Sequence, residues 1–263
     1  MKLAISNIAW NKSMDVSVYK IMKKYGFAGL EIAPTRIFQN NPYGKIEEAK
    51  EWKNQVASEF GFEIPSMQSI WYGRTEKIFG STEERKMLLD YTKQAIDFAS
   101  AIGCKNLVFG CPRNRHMPEG ADIEIAVAFF KEIGNYAYEH DTMIGMEANP
   151  TIYNTNFITD TSAAIKFIEL VDSKGFLLNL DIGTMIQNEE SVCELEKKVH
   201  LINHVHISEP GLKVINERML HKELKKILLK NNYQGYVSIE MGNVEDISVL
   251  EEAMRYIGNV FLS

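Results

Sequence analysis

A chain of 263 residues that is 45% hydrophobic and 24% charged can bury one large core, and closed α/β barrels often occupy this length as one domain. The formal charge of -6 argues against a nucleic-acid partner, because phosphate binding draws on a surplus of Lys and Arg. No apolar run approaches the roughly 18 residues of a membrane span, so no membrane association is expected. Three cysteines without a CxxC pair indicate a reducing, cytoplasmic location.

Short apolar runs alternate with helical patterns along the whole chain. The predicted strands lie at residues 3–8, 27–32, 63–68, 106–110, 143–147, 176–181, 202–207 and 236–240. Glycines close the helical patterns before several strands, as they do in left-handed helix caps, namely Gly26, Gly61, Gly103, Gly175 and Gly235. This order predicts a (β/α)8 TIM barrel that forms a single domain over residues 1–263. A doubly wound sheet is the alternative, but the chain contains no GxGxxG or GxxxxGK[ST] phosphate loop.

Polar and aromatic residues follow the first three predicted strands, at the end of a barrel where active sites lie. Trp10 and Trp71 are in the loops after the first and third strands, where they would stack on a sugar or pack beneath the loops. Glu31 and Gln68 end the second and third strands. They are predicted to bind substrate hydroxyls, or alternatively to stabilise loops by hydrogen bonds.

Two arginines and an asparagine follow the fourth predicted strand directly, at Arg113, Asn114 and Arg115. Guanidinium groups bind phosphate or carboxylate groups bidentately, so this run predicts an anion clamp for a phosphorylated or otherwise anionic substrate. A solvated loop is the alternative.

Four polar residues each close an apolar run in the second half of the chain, at Glu147, Asp181, His206 and Glu240. Their intervals of 34, 25 and 34 residues each suit one strand plus one crossover helix, so the four would share one end of the barrel. Clustered carboxylates repel one another unless a cation neutralises them. Three carboxylates and one imidazole predict one divalent metal ion, Mn²⁺ or Mg²⁺ before Co²⁺ or Zn²⁺.

A metal at this position would chelate neighbouring oxygens of a hydroxy-carbonyl compound and stabilise an enediolate. Glu147 and Glu240 come from separated strands and are the predicted general base and acid. Proton removal and return on opposite faces would give epimerisation, whereas a shuttle between adjacent carbons would give aldose–ketose isomerisation. Asn149 lies in a predicted lid loop and is expected near the substrate. Glu209 lies beside the metal histidine and is also expected near the substrate; alternatively, it would orient His206 or merely solvate its loop.

Four segments, MEANP, NLDIG, HVHISEP and VSIEM, resemble the xylose-isomerase-like TIM-barrel superfamily, the sugar phosphate isomerase/epimerase group. The resemblance covers nearly the whole chain, including LAISNIAW, GLEIAPT and LVFGCPRNR. It implies a metal-dependent sugar isomerase or epimerase with one metal held by Glu147, Asp181, His206 and Glu240, and with the two glutamates as acid and base.

Two departures from that superfamily bear on the substrate. Tagatose-type epimerases place a histidine where this chain has Thr184, and an arginine where it has Leu212, which argues against a simple ketohexose epimerase. Endonuclease IV needs additional metal-binding histidines that are missing here, which argues against DNA repair. A hydro-lyase of the inosose dehydratase kind and a non-catalytic sugar-binding barrel are the alternatives. The expected partners are a small-molecule sugar substrate and, as often for such barrels, a second copy of the chain in a homodimer.

Overall fold

The structure is a computed structural model that describes residues 1–262. Its strands form one curled parallel sheet in the order β2-β1-β7-β6-β5-β4-β3. The strands are β1 (Lys2–Ser6), β2 (Gly29–Glu31), β3 (Leu107–Phe109), β4 (Ile144–Met146), β5 (Phe176–Asp181), β6 (Ile202–Ile207) and β7 (Tyr236–Ile239). Within residues 1–262, no helix is long and apolar enough to cross a membrane.

The third predicted strand, 63–68, is not a regular strand but still closes the barrel. Parallel bridges join Glu63 to Gly29 and Met67 to both Ile32 and Leu107, so the segment lies between β2 and β3. Pro65 has no backbone N–H and interrupts the hydrogen-bond ladder in its middle. The (β/α)8 prediction is therefore confirmed, with one of the eight strands reduced to isolated bridges.

Helices surround the sheet and connect its strands. They are α1 (Asp15–Lys24), α2 (Pro34–Ile37), α3 (Ile46–Phe60), α4 (Thr82–Ile102), α5 (Glu124–Glu139), α6 (Thr161–Val171), α7 (Ile182–Gln187), α8 (Met219–Lys230) and α9 (Ile247–Phe261). A capping box begins α4, since Ser81 Oγ accepts from the Glu84 N–H at 3.2 Å and Glu84 Oε2 accepts from the Ser81 N–H at 2.8 Å. Gly103 ends this helix in the left-handed region, at φ 74°.

The prediction of a left-handed glycine was wrong for Gly175 and Gly235, neither of which has a positive φ. The left-handed residue that ends α6 is Asp172, at φ 47°, three positions earlier. Gly175 is required for a different reason, because a side chain there would overlap the backbone of Gly134 and Tyr138 in α5. The glycine allows the start of β5 to pass close to that helix.

The two faces of the curled sheet differ in chemistry. Outward side chains such as Leu3, Ile5 and Met146 are fully buried against the helices and form the hydrophobic core. Inward side chains are largely polar, and the fully buried Asn179 and His206 are among them. Barrels usually fill their interior with Val, Ile and Leu. Here the interior is a hydrogen-bonded polar layer directly beneath the carboxyl ends of the strands.

Candidate metal centre

The four predicted ligands converge at the carboxyl ends of four adjacent strands. Asp181 ends β5 and His206 lies near the end of β6, while Glu147 and Glu240 directly follow β4 and β7. Each residue offers one ligand atom, and these atoms all lie within 4.8 Å of one another. Parallel strands with inward alternation bring residues that are distant in sequence to this common edge.

His206 is fully buried at the centre of the cluster. Its Nδ1 lies 3.0 Å from Glu147 Oε1 and 3.3 Å from Glu240 Oε2, and its Nε2 lies 3.0 Å from Glu31 Oε2. Burial alone would lower the pKa of His206, but the carboxylates of Glu31 and Glu240 hold it well above its usual value. The Glu31 carboxylate lies beneath the cluster and fixes the orientation of the His206 ring through this contact with Nε2. The same carboxylate also lies 2.9 Å from His204 Nε2.

Asp181 both faces the cluster and caps α7. Its Oδ2 accepts from the Thr184 N–H at 2.7 Å and lies 2.7 Å from Thr184 Oγ1, while Oδ1 accepts from Ser208 Oγ. Burial and the neighbouring Glu147 carboxylate raise the pKa of Asp181 to about 6. Thr184, which stands where the resemblance would place a histidine, is thus used to orient this carboxylate.

Glu240 is held from the opposite side of the barrel. Gln68 Nε2 donates to Glu240 Oε1 at 2.9 Å and also to Ser6 Oγ at 2.8 Å. Burial raises the pKa of Glu240 to about 7, and the Glu147 and Asp181 carboxylates add to the effect of burial. Buried carboxylates that retain protons this strongly are groups whose charge needs a partner, either a proton or a cation.

The donor set fits a divalent cation. Three carboxylates and one imidazole are the hard, oxygen-rich ligands that suit Mn²⁺ or Mg²⁺, and each already has a hydrogen-bond partner that fixes its orientation. Glu147, Asp181, His206 and Glu240 would hold the ion.

A cleft of about 180 Å³ opens above this cluster. Glu147, Asp181, Glu209 and Glu240 are its acidic lining residues, and no Lys, Arg or His lines it within residues 1–262. The uncharged lining residues are Gln68, Ser69, Val108, Gly110, Cys111, Pro112, Asn149, Tyr153, Ser208 and Leu212. The cleft is therefore acidic at the ligand cluster and at Glu209, and its other lining residues are uncharged.

A larger cavity of about 450 Å³ opens at the amino ends of the strands. Its walls are mainly apolar, with Phe62, Ile64 and Ile102 among the lining residues. Barrel active sites lie at the carboxyl ends of the strands, and the ligand cluster lies there too. We therefore place the functional site in the smaller cleft.

The predicted anion clamp after β3 does not form. Arg113 is exposed and does not line the cleft, and the Asn114 amide donates to the carbonyls of Arg74 and Glu76 at 3.1 and 2.9 Å. Arg115 is fully buried and donates to the Glu147 carbonyl at 2.8 Å. The guanidinium of Arg115 also donates to Asn149 Oδ1 and to the Ile158 carbonyl, so its role is to hold the loop after β4. The Asn114 amide and the terminal nitrogens of Arg115 are therefore used within the protein, and none of the three residues lines the cleft.

The two tryptophans also lie away from the cleft. Trp10 is 1% exposed and donates from Nε1 to Asp15 Oδ1 at 2.7 Å. Trp71 is 3% exposed, donates from Nε1 to Thr92 Oγ1 at 2.8 Å and packs edge-on against Phe109. The structure does not support sugar stacking for either ring, because packing beneath the loops uses both faces and the polar edge.

The remaining predicted residues fall into two groups. Gln68, Asn149 and Glu209 line the cleft, whereas Glu31 is buried beneath it. Asn149 donates from Nδ2 to Glu147 Oε2 at 3.2 Å. Glu209 does not orient His206. Instead it accepts two hydrogen bonds from Arg218, at 2.7 and 2.5 Å, which fix the loop after β6.

Sequence reasoning missed three residues that shape the site. Asn179 donates to Glu147 Oε1 at 2.8 Å, Ser208 contacts Asp181, and the Tyr153 hydroxyl accepts from the Gly211 N–H at 2.9 Å to join two loops above the cleft. Asn179 and Ser208 each lie two residues from a predicted ligand, on the same side of the chain. Strand alternation was therefore a signal for both. No sequence signal predicted the Tyr153 contact.

Comparison with known proteins gives both a family and similar folds. The model of the xylose isomerase-like TIM barrel family matches residues 19–260. The D-psicose 3-epimerase of Clostridium cellulolyticum H10 has a TM-score of 0.80 at 16% identity, over 99% of each chain. The 3-keto-D-glucoside 4-epimerase of E. coli has a TM-score of 0.75 at 18% identity, over 98% of this chain and 99% of the other. Comparison with curated protein sequences gives no match.

Proposed function

Because this chain belongs to the xylose isomerase-like TIM-barrel family, we propose that it is a divalent-metal-dependent isomerase or epimerase of an uncharged sugar or sugar derivative. The observation that carries the proposal is the convergence of four ligand atoms within 4.8 Å at the carboxyl ends of β4 to β7. The solved structures named above include two sugar epimerases, which supports the same class of reaction.

Glu147, Asp181, His206 and Glu240 would hold the cation. When bound, the cation supplies the Lewis acidity that makes a C–H beside a carbonyl group acidic. The two glutamates follow β4 and β7, with β5 and β6 between them, and they approach His206 Nδ1 from two sides at 3.0 and 3.3 Å. This separation supports one glutamate as the base that removes a proton and the other as the acid that returns it.

The charge of the cleft favours a neutral substrate. A phosphate or carboxylate would meet the Glu209 carboxylate and the ligand cluster without any lining Lys, Arg or His among residues 1–262. Arg218, which follows the same loop, is already paired with Glu209 through its Nε and Nη2 atoms. Hydroxyl groups, in contrast, find uncharged partners in Gln68, Ser69 and Asn149.

The test is incubation of Mn²⁺-loaded protein in D₂O with unphosphorylated ketopentoses and ketohexoses, and with the same sugars as phosphates. We expect deuterium in one carbon of a neutral sugar, seen by NMR, with otherwise unchanged product mass. Loss of one water from the product would indicate hydro-lyase chemistry instead. Turnover of phosphates alone would contradict the neutral substrate, and no exchange with any sugar would contradict the proposed reaction.

A further inference from the structure

Three asparagines are hydrogen-bonded end to end through the polar interior of the barrel. Asn203 Nδ2 donates to Asn106 Oδ1 at 2.8 Å, Asn106 Nδ2 donates to Asn179 Oδ1 at 3.2 Å, and Asn179 Nδ2 donates to Glu147 Oε1 at 2.8 Å. Asn106 and Asn179 are 1% and 0% exposed. We call this chain of three side chains the amide relay. It begins near the amino end of the barrel and ends on a predicted metal ligand.

The direction of the relay is fixed at both ends. Asn203 Nδ2 also donates to the Lys105 carbonyl at 3.1 Å, and a carbonyl can only accept. At the other end Glu147 Oε1 accepts from Asn179 Nδ2, as the oxygen of a carboxylate does. Each amide must therefore present its N–H groups toward the next residue and its oxygen toward the previous one. The orientation of Asn179 is thus determined by Asn106, which touches neither Glu147 nor the cleft.

The relay distinguishes the two oxygens of Glu147. Oε1 receives the Asn179 N–H and lies 3.0 Å from His206 Nδ1, within the ligand cluster. Oε2 is the oxygen that accepts from Asn149, a residue of the cleft lining. We propose that Asn106 and Asn179 are positioning residues that hold Oε1 for the cation and leave Oε2 to exchange a proton with the substrate. The proposal rests on the proposed function and adds to it a separate role for each oxygen of Glu147.

Gly145 provides independent support for the relay. This residue is in β4, two positions before Glu147, and therefore faces the barrel interior. A Cβ at Gly145 would lie 2.5 Å from Asn106 Oδ1, which is too close for a contact, and 3.1 Å from Asn179 Cβ, which is tight. The absence of a side chain in β4 is what leaves room for the Asn106 and Asn179 amides to meet.

The decisive variant is Asn106→Asp, which keeps the shape but removes the donor. The new carboxylate can accept from both Asn203 and Asn179, so the Asn179 amide is expected to turn and present its oxygen to Glu147. We expect Mn²⁺ affinity, measured by calorimetric titration, to fall by about tenfold to hundredfold, the usual effect of removing an outer hydrogen bond to a metal ligand. We also expect kcat to fall more than KM rises.

Ser66→Ala is the matched control. Ser66 Oγ accepts the other hydrogen bond of the same Asn106 amide, at 3.0 Å, and is fully buried, but it does not set the direction of Asn179. We expect Ser66→Ala to lower the unfolding midpoint while Mn²⁺ affinity stays at the wild-type value. Equal losses of affinity in Ser66→Ala and Asn106→Asp would show that the asparagines act only in folding, and would overturn the proposal.

Gly145→Ala keeps the test decisive if Asn106→Asp does not fold. It retains all three amides and adds one methyl group between them, so it should weaken Mn²⁺ binding in the same way. Wild-type affinity and kcat in a folded Asn106→Asp or Gly145→Ala protein would overturn the relay. Wild-type protein that binds no Mn²⁺ and turns over no sugar would instead overturn the proposed function, so the two failures are distinguishable.

Discussion

The two halves of the barrel present different chemistry to the cleft. The half formed by β4 to β7 contributes Glu147, Asp181, His206 and Glu240, whereas the half formed by β1, β2, the 63–67 segment and β3 contributes uncharged residues such as Gln68 and Pro112 to the lining. Glu31, which ends β2 in the second half, is fully buried beneath the cleft against His206. The acidic residues of the cleft lining are thus concentrated where a cation would be held, and under the proposed function the facing half would contact neutral hydroxyl groups.

The largest effect is expected in the charged half, at Glu240. Glu240→Gln keeps an oxygen for the cation but cannot transfer a proton, so kcat should fall about 10² to 10⁴-fold, the range for general acid–base catalysis. Steady-state kinetics and deuterium exchange would measure the loss. Glu245→Gln, the same change at an exposed residue five positions later, is the control. A Glu240→Gln enzyme with wild-type kcat would remove Glu240 from the proton-transfer role.

A smaller effect is expected where the halves meet, at Gln68. Gln68→Leu removes the donor to Glu240 Oε1, and hydrogen bonds to charged groups contribute about 1.5–3 kcal/mol, so kcat/KM should fall about tenfold to hundredfold. Gln55→Leu is the control, because it is the same change at an exposed residue whose amide donates to Glu59 within α3. If Gln55→Leu loses as much activity as Gln68→Leu, the contact of Gln68 with Glu240 is not what matters.

The charged half should also make the metal-free protein less stable as pH rises. The folded-state pKa values of Asp181 and Glu240 are raised to about 6 and about 7, so the folded chain keeps protons that the unfolded chain releases near pH 4. This stabilisation is present at low pH and is lost as pH rises to about 7. The raised pKa of His206 acts in the same direction.

Urea unfolding between pH 5 and 8, with EDTA or with Mn²⁺, measures this slope. Because Mn²⁺ competes with protons for the same ligands, the stability gained on adding Mn²⁺ should increase with pH. Glu240→Gln should flatten the slope of the metal-free protein. The lowered pKa values of His204 and His221 act in the opposite direction below about pH 6.5 in both proteins, so the comparison between them is the test. A slope that Glu240→Gln leaves unchanged would contradict the assigned burial of this acid.

The smallest effect on activity is expected at Arg113. Arg113→Ala should leave kcat/KM unchanged, because the side chain is exposed and does not line the cleft. Arg115→Met should instead lower the free energy of unfolding by about 1–3 kcal/mol for each acceptor left unpaired. A large rise in KM for Arg113→Ala would instead support the predicted anion clamp. It would also show that a charged residue of the neutral half contacts the substrate.

The sequence predicted the charged half better than the neutral half for a physical reason. The four ligands end strands, and strand alternation together with parallel pairing determines both their direction and the edge at which they meet. Arg115 and Trp71 lie in connections after strands, where the partner of a side chain depends on which distant loop packs beside it. Neither the Ile158 carbonyl that binds Arg115 nor the Thr92 hydroxyl that binds Trp71 could be identified from local sequence.

The third predicted strand, at residues 63–68, shows the same limit of prediction from local sequence. The apolar run at 63–68 correctly predicted a chain segment between β2 and β3, but Pro65 within that run reduces it to isolated bridges. Asn179 and Gly145 carry information that the pattern could have provided, since both face inward two residues before a ligand. The roles of Asn179 and Gly145 depend on their closeness to Asn106, which is more than 70 residues from Asn179 in sequence. Local sequence could not predict this closeness.

The central claim is that Glu147, Asp181, His206 and Glu240 form one divalent-metal site. Its most direct test is elemental analysis of the purified protein followed by calorimetric Mn²⁺ titration of wild type and of the Asp181→Ala variant. We expect one ion per wild-type chain and loss of binding in the folded variant. A wild-type protein that binds no divalent metal at micromolar concentrations, or an Asp181→Ala protein that binds it equally well, would contradict the assignment.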